Sequence, residues 1–173
     1  MPKPHKIIKI DNPILRRQAD PVQPTELASK KIQTLAQNML DSVKDRGVGL
    51  DAPQIGISKR IFVINFEPEK KSQDNFVVVI NPRILAKSEE MEKDGEGCLS
   101  VPGIMGIVPR HCMINIEYTS LSGEIVKRRL TDYLARVFQH EYDHLDGILY
   151  LDRVENKAQE IMTEAQYFRL LEM

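Results

Sequence analysis

The segment that most constrains the fold of this chain runs from Gln139 to Gly147 and contains a His-Glu-x-x-His motif. On a helix, residues four apart lie one turn above each other, so His140 and His144 would project from one face and could share a metal ion. Glu141 follows the first histidine, where its carboxylate could reach a water molecule on that ion. The chain has only four histidines, so this spacing favours a metal site over a solvated helix with two incidental histidines. Gly147 would end the helix, because glycine readily takes the left-handed conformation after the last turn.

Length and charge exclude several classes of protein. The chain has 173 residues and a net charge of -1, which suits one domain spanning residues 1–173 and leaves no basic field for nucleic acid. No stretch approaches the roughly 18 consecutive apolar residues of a membrane span. The N-terminus lacks the pattern of a secretory signal or a transit peptide. Two cysteines without a disulfide framework are typical of a reducing compartment, so we expect a cytoplasmic protein.

Hydrophobic periodicity predicts an α+β fold, with mostly antiparallel sheets packed around a buried metal-binding helix and with a C-terminal helix. The predicted helices run from Thr25 to about Asp45, from Thr131 to Asp146, and from about Arg153 to Leu171. The predicted strands form two hairpins and comprise Ile61–Phe66, Phe76–Asn81, Met113–Thr119 and Glu124–Leu130. A solvated loop is predicted over residues 67–74, and an irregular, proline-rich arm over residues 1–24.

Two segments rich in glycine and proline are predicted to be irregular. They are Arg46–Gly56 and Gly97–Gly103, and backbone of this kind can come close to a bound ligand. The residues 87–96 that precede the second segment are acidic and polar. No regular element is predicted there.

Two histidines on one helix need at least one further protein ligand if they hold a catalytic ion. Cys98 is one candidate, because it lies in a glycine-flanked segment. Glu164 is the other, twenty residues after His144, a separation that some metallopeptidases use for a carboxylate ligand. Spacing alone leaves both open. It also leaves open a buried structural thiol at Cys98 and a purely structural ion with four protein ligands.

Three blocks of sequence, in this order, resemble the three signature motifs of bacterial peptide deformylase: Gly47–Gln54, Glu96–Ser100 and His140–His144. The similarity covers most of the chain and continues through Ile61–Asn65, Asn81-Pro82 and Val108–Arg110. That family removes the formyl group from the N-terminal formyl-methionine of newly made proteins. The resemblance therefore implies a metal-dependent hydrolase that releases formate.

The resemblance also implies roles for particular residues. Cys98 would join His140 and His144 as a metal ligand, which would leave Glu164 as a surface residue. An ion held in this way lowers the pKa of a bound water toward about 7. Glu141 would then take the proton of the attacking water and pass it to the departing amine.

Other implied roles concern the oxyanion and the substrate cleft. The side-chain amide of Gln54 and the backbone N–H of Leu99 would stabilise the oxyanion. The residues implied to bind substrate or shape its cleft are Val48, Gly49, Glu96, Gly97, Tyr133 and Val137. The apolar residues 103–107 are expected to line the same cleft.

The resemblance implies a supporting role for Arg110, and position alone suggests one for Gln139 and for Asp143, which could instead be exposed on the helix. Arg110 would form an ion pair with Glu96 and fix the loop that carries Cys98. Gln139 and Asp143 neighbour the ligands and could orient the imidazoles as hydrogen-bond partners.

The family uses one divalent metal ion, generally iron(II), which zinc, nickel or cobalt can replace. A mixed sulfur and nitrogen site suits each of these metals. The expected partners are nascent formyl-methionyl polypeptides. The resemblance also suggests that the last helix contacts the ribosome. No nucleic-acid motif and no membrane segment are expected.

The chain departs from the family pattern at Asp51, because two small residues usually precede Pro53-Gln54. We expect the Asp51 carboxylate to face away from the cleft and to leave the reaction intact. His111 and Cys112 are adjacent, but neighbours on a strand point to opposite faces, so they are not expected to share an ion.

Overall fold

The computed structural model describes residues 6–43, 46–68 and 75–172. In chain order, its helices are α1 (Lys30–Val43), α2 (Asp132–Leu145), α3 (Tyr150–Arg153), α4 (Lys157–Glu160) and α5 (Glu164–Leu171). Its strands are β1 (Gly49–Asp51), β2 (Ile61–Asn65), β3 (Phe76–Lys87), β4 (Met91–Cys98), β5 (Val101–His111), β6 (Met113–Thr119), β7 (Ile125–Thr131) and β8 (Ile161–Thr163). Short 3-10 turns cover Pro13–Arg16, Pro24–Glu26 and Pro53–Ile55.

The strands form two antiparallel sheets. The larger sheet has the strand order β1-β2-β3-β6-β7, and the smaller has the order β4-β5-β8. Helix α2 contacts strands of both sheets, and α1 contacts β1, β2 and β3. The predicted α+β architecture, with antiparallel sheets around a buried helix and a helix near the C-terminus, is confirmed. No helix in the described part of the chain is long and apolar enough to cross a membrane.

Helix α2 starts and stops within one residue of the predicted bounds. Its interior position is fixed by aromatic packing, with Phe138 edge-on to Phe62 of β2 at 5.1 Å between ring centroids. After the helix, Gly147 has a φ of 74°. A Cβ at this position would lie 2.7 Å from the backbone carbon of Arg16. The turn that ends α2 therefore requires glycine.

The first helix begins later than predicted. A 3-10 turn over Pro24–Glu26 takes the place of the predicted N-cap at Thr25. Helix α1 begins only after Ser29, whose Oγ accepts a hydrogen bond from the backbone N–H of Ile32 at 3.3 Å. This bond satisfies one of the free donors of the first turn. The predicted end of the helix at Asp45 lies outside the described residues.

The four predicted strands are all present, and β3 extends six residues beyond its predicted end. The prediction was wrong for the segments thought to be irregular or polar, because they hold β1, β4 and β5. β4 and β5 pair with each other from Met91↔His111 to Cys98↔Val101. Most of β4 is exposed, so it lacks the apolar alternation that marks a half-buried strand. The predicted loop over residues 67–74 lies mostly outside the described residues.

The single C-terminal helix predicted from Arg153 to Leu171 is wrong. The chain instead forms α3, α4, β8 and α5. Strand β8 extends the smaller sheet, with Met162 opposite Met105 of β5. Thr163 then caps α5, since its Oγ1 accepts a hydrogen bond from the Gln166 N–H at 3.3 Å. The apolar residues whose spacing suggested one helix thus lie in three elements: Ala158 in α4, Ile161 and Met162 in β8, and Ala165 and Leu170 in α5.

The N-terminal arm contacts the end of the first sequence block and the residue that follows the third. The Ile8 N–H donates to the Gln54 carbonyl at 2.9 Å, and the Ala19 N–H donates to the Leu145 carbonyl at 2.8 Å. The arm therefore ties the Pro53–Ile55 turn to the end of α2. Residues 1–5 of the predicted arm lie outside the described residues.

Candidate functional site

Cys98, at the end of β4, and His140 and His144, on α2, come together at one point. Their possible ligand atoms all lie within 4.8 Å of one another, and Cys98 Sγ is 3.7 Å from His144 Nε2. Sulfur and nitrogen ligands about 2.3 and 2.1 Å from a tetrahedral ion would lie roughly 3.6 Å apart, so the cluster has the dimensions of a metal site. Glu164, the alternative ligand, is exposed and lies outside this group.

A buried carboxylate contacts the Nδ1 atom of each imidazole. His140 Nδ1 is 3.0 Å from Glu96 Oε2, and His144 Nδ1 is 2.5 Å from Asp51 Oδ2. Carboxylate partners of this kind fix both the orientation and the tautomer of a ligating histidine. With Nδ1 engaged in each ring, Nε2 is the nitrogen available to an ion.

Asp51 is not among the residues that line the substrate cavity, as expected, but it does not point to solvent either. Its side chain is 0% exposed, and its other carboxylate oxygen, Oδ1, accepts a hydrogen bond from the Gln54 N–H at 2.9 Å. Asp51 lies on β1, where it is paired with Phe62 of β2, and this pairing holds its side chain against α2. A strand of three residues is too short to be recognised from its sequence pattern.

Glu96 belongs to a buried network of charges behind His140. Arg110 forms a two-pronged ion pair with it, Nε to Oε1 at 2.9 Å and Nη2 to Oε2 at 3.0 Å, so the ion pair that the resemblance implies is present. Burial raises the pKa of Glu96, but hydrogen bonds from His140 and Arg110 lower it further, so its pKa lies well below the usual range. Both carboxylate oxygens are thus occupied, and a direct contact between Glu96 and substrate stays a prediction.

Arg136 is a residue of this network that the sequence pattern did not single out. Its Nη1 donates to Glu96 Oε1 at 3.0 Å and to the Val108 carbonyl at 2.7 Å, and its Nη2 donates to the Glu92 carbonyl at 2.7 Å. It therefore ties α2 to both strands of the β4–β5 hairpin. The available signal was spacing, because Arg136 lies four residues before His140 and so on the same helix face.

Gln139 and Asp143 do not contact the imidazoles, contrary to expectation. Gln139 Nε2 donates to the His111 carbonyl at 2.9 Å, and Asp143 Oδ2 accepts from Arg110 Nη1 at 2.5 Å. Each of the two precedes a histidine of the cluster by one residue, and successive side chains on a helix point about 100° apart. They therefore hold β5 and its arginine rather than the two imidazole rings.

Glu141 has a buried oxygen without a partner. Among the described residues, its Oε2 is the one buried side-chain oxygen or nitrogen that makes no hydrogen bond. The carboxylate lies over Gly49, where a Cβ would come within 2.8 Å of Glu141 Cδ. Burial raises the pKa of Glu141 to about 8, and the negative charge of Asp51 adds to the rise. An unpaired buried carboxylate costs stability, which is typical of a group that acts on a ligand.

The electrostatic surroundings favour the thiolate form of Cys98. Burial raises the pKa of this thiol, but the charge of His144 and the hydrogen bond from His140 lower it further, to about 5. The thiolate is the form that binds metals.

The other cysteine differs: neither Cys112 nor the adjacent His111 belongs to a ligand group among the residues that the structure describes. His111 Nδ1 instead lies 2.7 Å from the Ser88 carbonyl.

The Gln54 side chain spans the distance between Asp51 and the ligand cluster. Its Oε1 accepts a hydrogen bond from the Asp51 N–H at 3.2 Å. Its Nε2 lies 3.3 Å from both Cys98 Sγ and Ser100 Oγ. The amide donor therefore points into the site. Ser100 had no predicted role, and no spacing signal marks it, because the β4–β5 turn brings it here.

The cluster opens into a cavity of about 540 Å³. All six residues expected in the substrate cleft line it: Val48, Gly49, Glu96, Gly97, Tyr133 and Val137. Leu99 lies in the same wall, together with Gly103, Ile104 and Met105 of the apolar segment. Apolar walls around a few convergent polar groups are typical of a site for a small ligand or a peptide end.

Comparison with known proteins gives one consistent result. The family model described as polypeptide deformylase matches residues 4–160. Peptide deformylase 2 of Nostoc sp. is 42% identical over 170 residues, which are 95% of this chain and 93% of the relative. The peptide deformylase of Finegoldia magna is 42% identical over 155 residues, 88% of this chain and 91% of the relative.

Solved structures agree with these relatives. A class I type b peptide deformylase of Acinetobacter baumannii, bound to Met-Ala-Ser, superimposes with a TM-score of 0.82 at 40% identity, covering 89% of this chain and 100% of that one. The peptide deformylase of Thermotoga maritima superimposes with a TM-score of 0.81 at 38% identity, covering 89% of this chain and 99% of that one.

Proposed function

This chain belongs to the polypeptide deformylase family, and from this premise we propose which of its residues hold the metal ion and carry out the reaction. The protein is a metal-dependent hydrolase that removes the formyl group from the N-terminal formyl-methionine of newly synthesised proteins and releases formate. The family match over residues 4–160 supports residues 1–173 as one catalytic domain.

The ligands in this proposal are Cys98, His140 and His144. One observation carries the assignment: these three donors converge within 4.8 Å of one another, beside the unpartnered Oε2 of Glu141. One thiolate and two imidazoles form a three-ligand set that leaves a coordination position open, as catalytic sites require. A bound divalent ion supplies Lewis acidity that activates a water molecule and polarises the formyl carbonyl.

Glu141 is the proposed proton carrier. Its carboxylate takes one proton from the attacking water as the oxygen–carbon bond to the formyl group forms. It then gives that proton to the methionine nitrogen as the carbon–nitrogen bond breaks, so that a free amine and formate result. The unpartnered Oε2 and the buried position fit a group that exchanges protons with bound reactants.

Gln54 and Leu99 are the proposed donors to the oxyanion. The Nε2 of Gln54 is already aimed at the cluster by the bond between its Oε1 and the Asp51 N–H. Leu99 follows Cys98 in the cavity wall, where its backbone N–H could face the same oxygen. Donors that are fixed in advance stabilise the developing charge without a cost of reorganisation.

The cavity wall is proposed to recognise the methionine end of the substrate. Val48, Tyr133 and Val137 give it an apolar side, suited to an unbranched thioether side chain. The Acinetobacter baumannii relative was solved with Met-Ala-Ser bound, a peptide that begins with methionine. This supports a role for the same cavity in binding the N-terminal residues of the substrate, with Gly49 and Gly97 beside its backbone.

Iron(II) is the proposed physiological ion, with zinc, nickel or cobalt able to replace it. The mixed sulfur and nitrogen donor set suits each of these ions, so availability helps to select among them. We place the enzyme in the cytoplasm, where nascent chains emerge and where thiols such as Cys98 stay reduced.

We also propose that α5 contacts the ribosome. Phe168, Leu170 and Leu171 on this helix are 51%, 56% and 64% exposed, which is a high exposure for three large apolar side chains close together. The substrate emerges from the ribosome, and this supports a docking role for the helix. Replacing Phe168 and Leu171 with glutamate is expected to reduce co-sedimentation with bacterial ribosomes several-fold, while cleavage of a short peptide is unchanged. Equal co-sedimentation of the two proteins would argue against the contact.

The proposed activity is tested by measuring formate release from a formyl-Met-Ala-Ser peptide. Protein purified without oxygen and loaded with iron(II) or nickel is expected to release formate, and removal of the ion with a chelator is expected to abolish the release. Unformylated Met-Ala-Ser, treated in the same way, should yield none and should not be cleaved between its residues. Cleavage of the unformylated peptide would indicate a metallopeptidase instead, and a folded, metal-loaded protein without either activity would contradict the proposal.

A further inference from the structure

The Asp51 carboxylate makes two hydrogen bonds that join opposite sides of the site. Its Oδ2 is 2.5 Å from Nδ1 of His144, a proposed metal ligand. Its Oδ1 accepts from the backbone N–H of Gln54 at 2.9 Å, and its own N–H donates back to Gln54 Oε1 at 3.2 Å. The side chain is 0% exposed. A single fully buried residue thus contacts both a metal ligand and the proposed oxyanion donor.

We infer that the Asp51 side chain is a positioning group that retains the metal ion through His144 and stabilises the turn that carries Gln54. The inference rests on the proposed function, because it takes the Cys98 cluster as the metal site. Asp51 holds the proton of His144 on Nδ1 and so keeps the lone pair of Nε2 directed at the ion. The same carboxylate fixes the 3-10 turn that presents Gln54.

Two donors converge on Asp51, and this explains why the residue is an acid. The Gln54 backbone N–H can only donate, and His144 must also donate from Nδ1 if its Nε2 is to bind a metal. A carboxylate has an acceptor oxygen for each of them. An asparagine amide of the same size has only one acceptor oxygen, so its NH2 group would face one of the two donors. If the NH2 group faced His144, the ring would be driven to the tautomer that carries its proton on Nε2, toward the ion.

The alternative is a purely structural role, in which Asp51 only caps the turn at Pro53–Ile55. The two roles differ in what they predict for the metal. A structural cap would affect stability and leave metal dissociation unchanged. A partner of the ligand ring would change metal dissociation by roughly 10- to 100-fold, the usual cost of losing such an outer partner.

The test compares dissociation of Zn²⁺ from the zinc-loaded wild-type protein with that from Asp51→Asn and Asp51→Ala. Release is followed with an excess of a chromophoric chelator. Both variants are expected to lose zinc about 10- to 100-fold faster than the wild type. Asp146→Asn is the matched control, because it removes a carboxylate just after α2 that pairs with Arg60 at 2.6 Å and does not contact the ligands. It should release zinc at close to the wild-type rate.

A spectroscopic measurement separates positioning from loss of stability. The visible absorption of cobalt(II)-loaded protein reports ligand geometry and is expected to change in both Asp51 variants but not in Asp146→Asn. Wild-type spectra and wild-type zinc release in the Asp51 variants would overturn the inference, whatever happened to their melting temperatures. The Asn variant keeps the size of the side chain, so it serves if the Ala variant does not fold.

Formate release by the wild-type protein distinguishes the two possible failures. If the wild type releases formate and the Asp51 variants keep zinc as tightly as it does, the inference about Asp51 fails alone. If the wild-type protein releases no formate from the formylated peptide, either with zinc or after the zinc has been replaced by nickel, the proposed function fails instead. In that case, faster zinc release from the Asp51 variants would still support the inference that Asp51 helps to retain the ion through His144.

Discussion

Replacement of Glu141 with glutamine is expected to lower kcat/KM for formate release by about 10²- to 10⁴-fold, the usual contribution of a general acid–base group. This corresponds to roughly 3–5 kcal/mol of transition-state stabilisation. Glutamine keeps the size of the side chain and its place over Gly49. It cannot take the proton of the attacking water, so the chemical step should slow while metal content and peptide binding are retained. Steady-state kinetics measures the fall in kcat/KM, and metal analysis of the same preparation measures the metal content.

The same substitution is not expected to destabilise the fold. Glu141 Oε2 is buried without a partner, and the nearby Asp51 carboxylate repels it. Because folding raises the pKa of Glu141 to about 8, burying this acid costs stability whether it ionises or takes up a proton. A neutral amide removes that cost, so the free energy of unfolding should stay the same or rise. Denaturant unfolding of the metal-free proteins checks this. A loss of stability in proportion to the loss of activity would mean that Glu141 is a structural residue.

Glu155→Gln provides the control for Glu141→Gln. Its carboxylate lies on the surface, 62% exposed, and pairs with Lys93, so the change removes one negative charge far from the cluster. Activity within about twofold of the wild type is expected. If Glu141→Gln kept more than about a tenth of wild-type kcat/KM, another group would have to carry the proton.

The part of the site that the sequence predicts is the part built by local geometry. His140, Glu141 and His144 lie within five residues on one helix, and the helical repeat alone places the two rings together. Arg136 follows the same rule, one turn earlier. The bounds of α2 were predictable as well, because a glycine-terminated amphipathic segment carries its own start and stop signals.

The rest of the site depends on pairing between distant segments, which no local pattern reveals. Strands β4 and β5 form against each other although most of β4 is exposed, and this hairpin delivers Cys98. The proposal of Cys98 rather than Glu164 as the third ligand therefore needed the family resemblance. The burial of Asp51 follows from the pairing of β1 with β2, and a carboxylate in a glycine-rich segment otherwise suggests a surface loop.

Replacement of Cys98 with serine is expected to weaken metal binding by more than about 100-fold, since even the loss of an outer partner costs roughly 10- to 100-fold. A serine hydroxyl keeps its proton near neutral pH, whereas His144 and His140 lower the pKa of the Cys98 thiol to about 5. The variant would therefore lose the anionic sulfur ligand that suits iron, zinc, cobalt or nickel. Metal content after dialysis and a chelator competition titration give the affinity, and formate release should fall with occupancy.

Two control variants decide between the possible third ligands. Cys112→Ser makes the same chemical change at a half-buried cysteine that lies outside the ligand groups among the described residues, so its metal affinity should equal that of the wild type. Glu164→Gln removes the carboxylate that the sequence spacing left as an alternative ligand. The Glu164 side chain is exposed at the edge of the cavity. Normal metal binding by Glu164→Gln together with loss of metal from Cys98→Ser would assign the sulfur as the third ligand. The reverse result would make this chain a carboxylate-ligated hydrolase despite its family, because a thiol that can be replaced without loss of the ion is not a ligand.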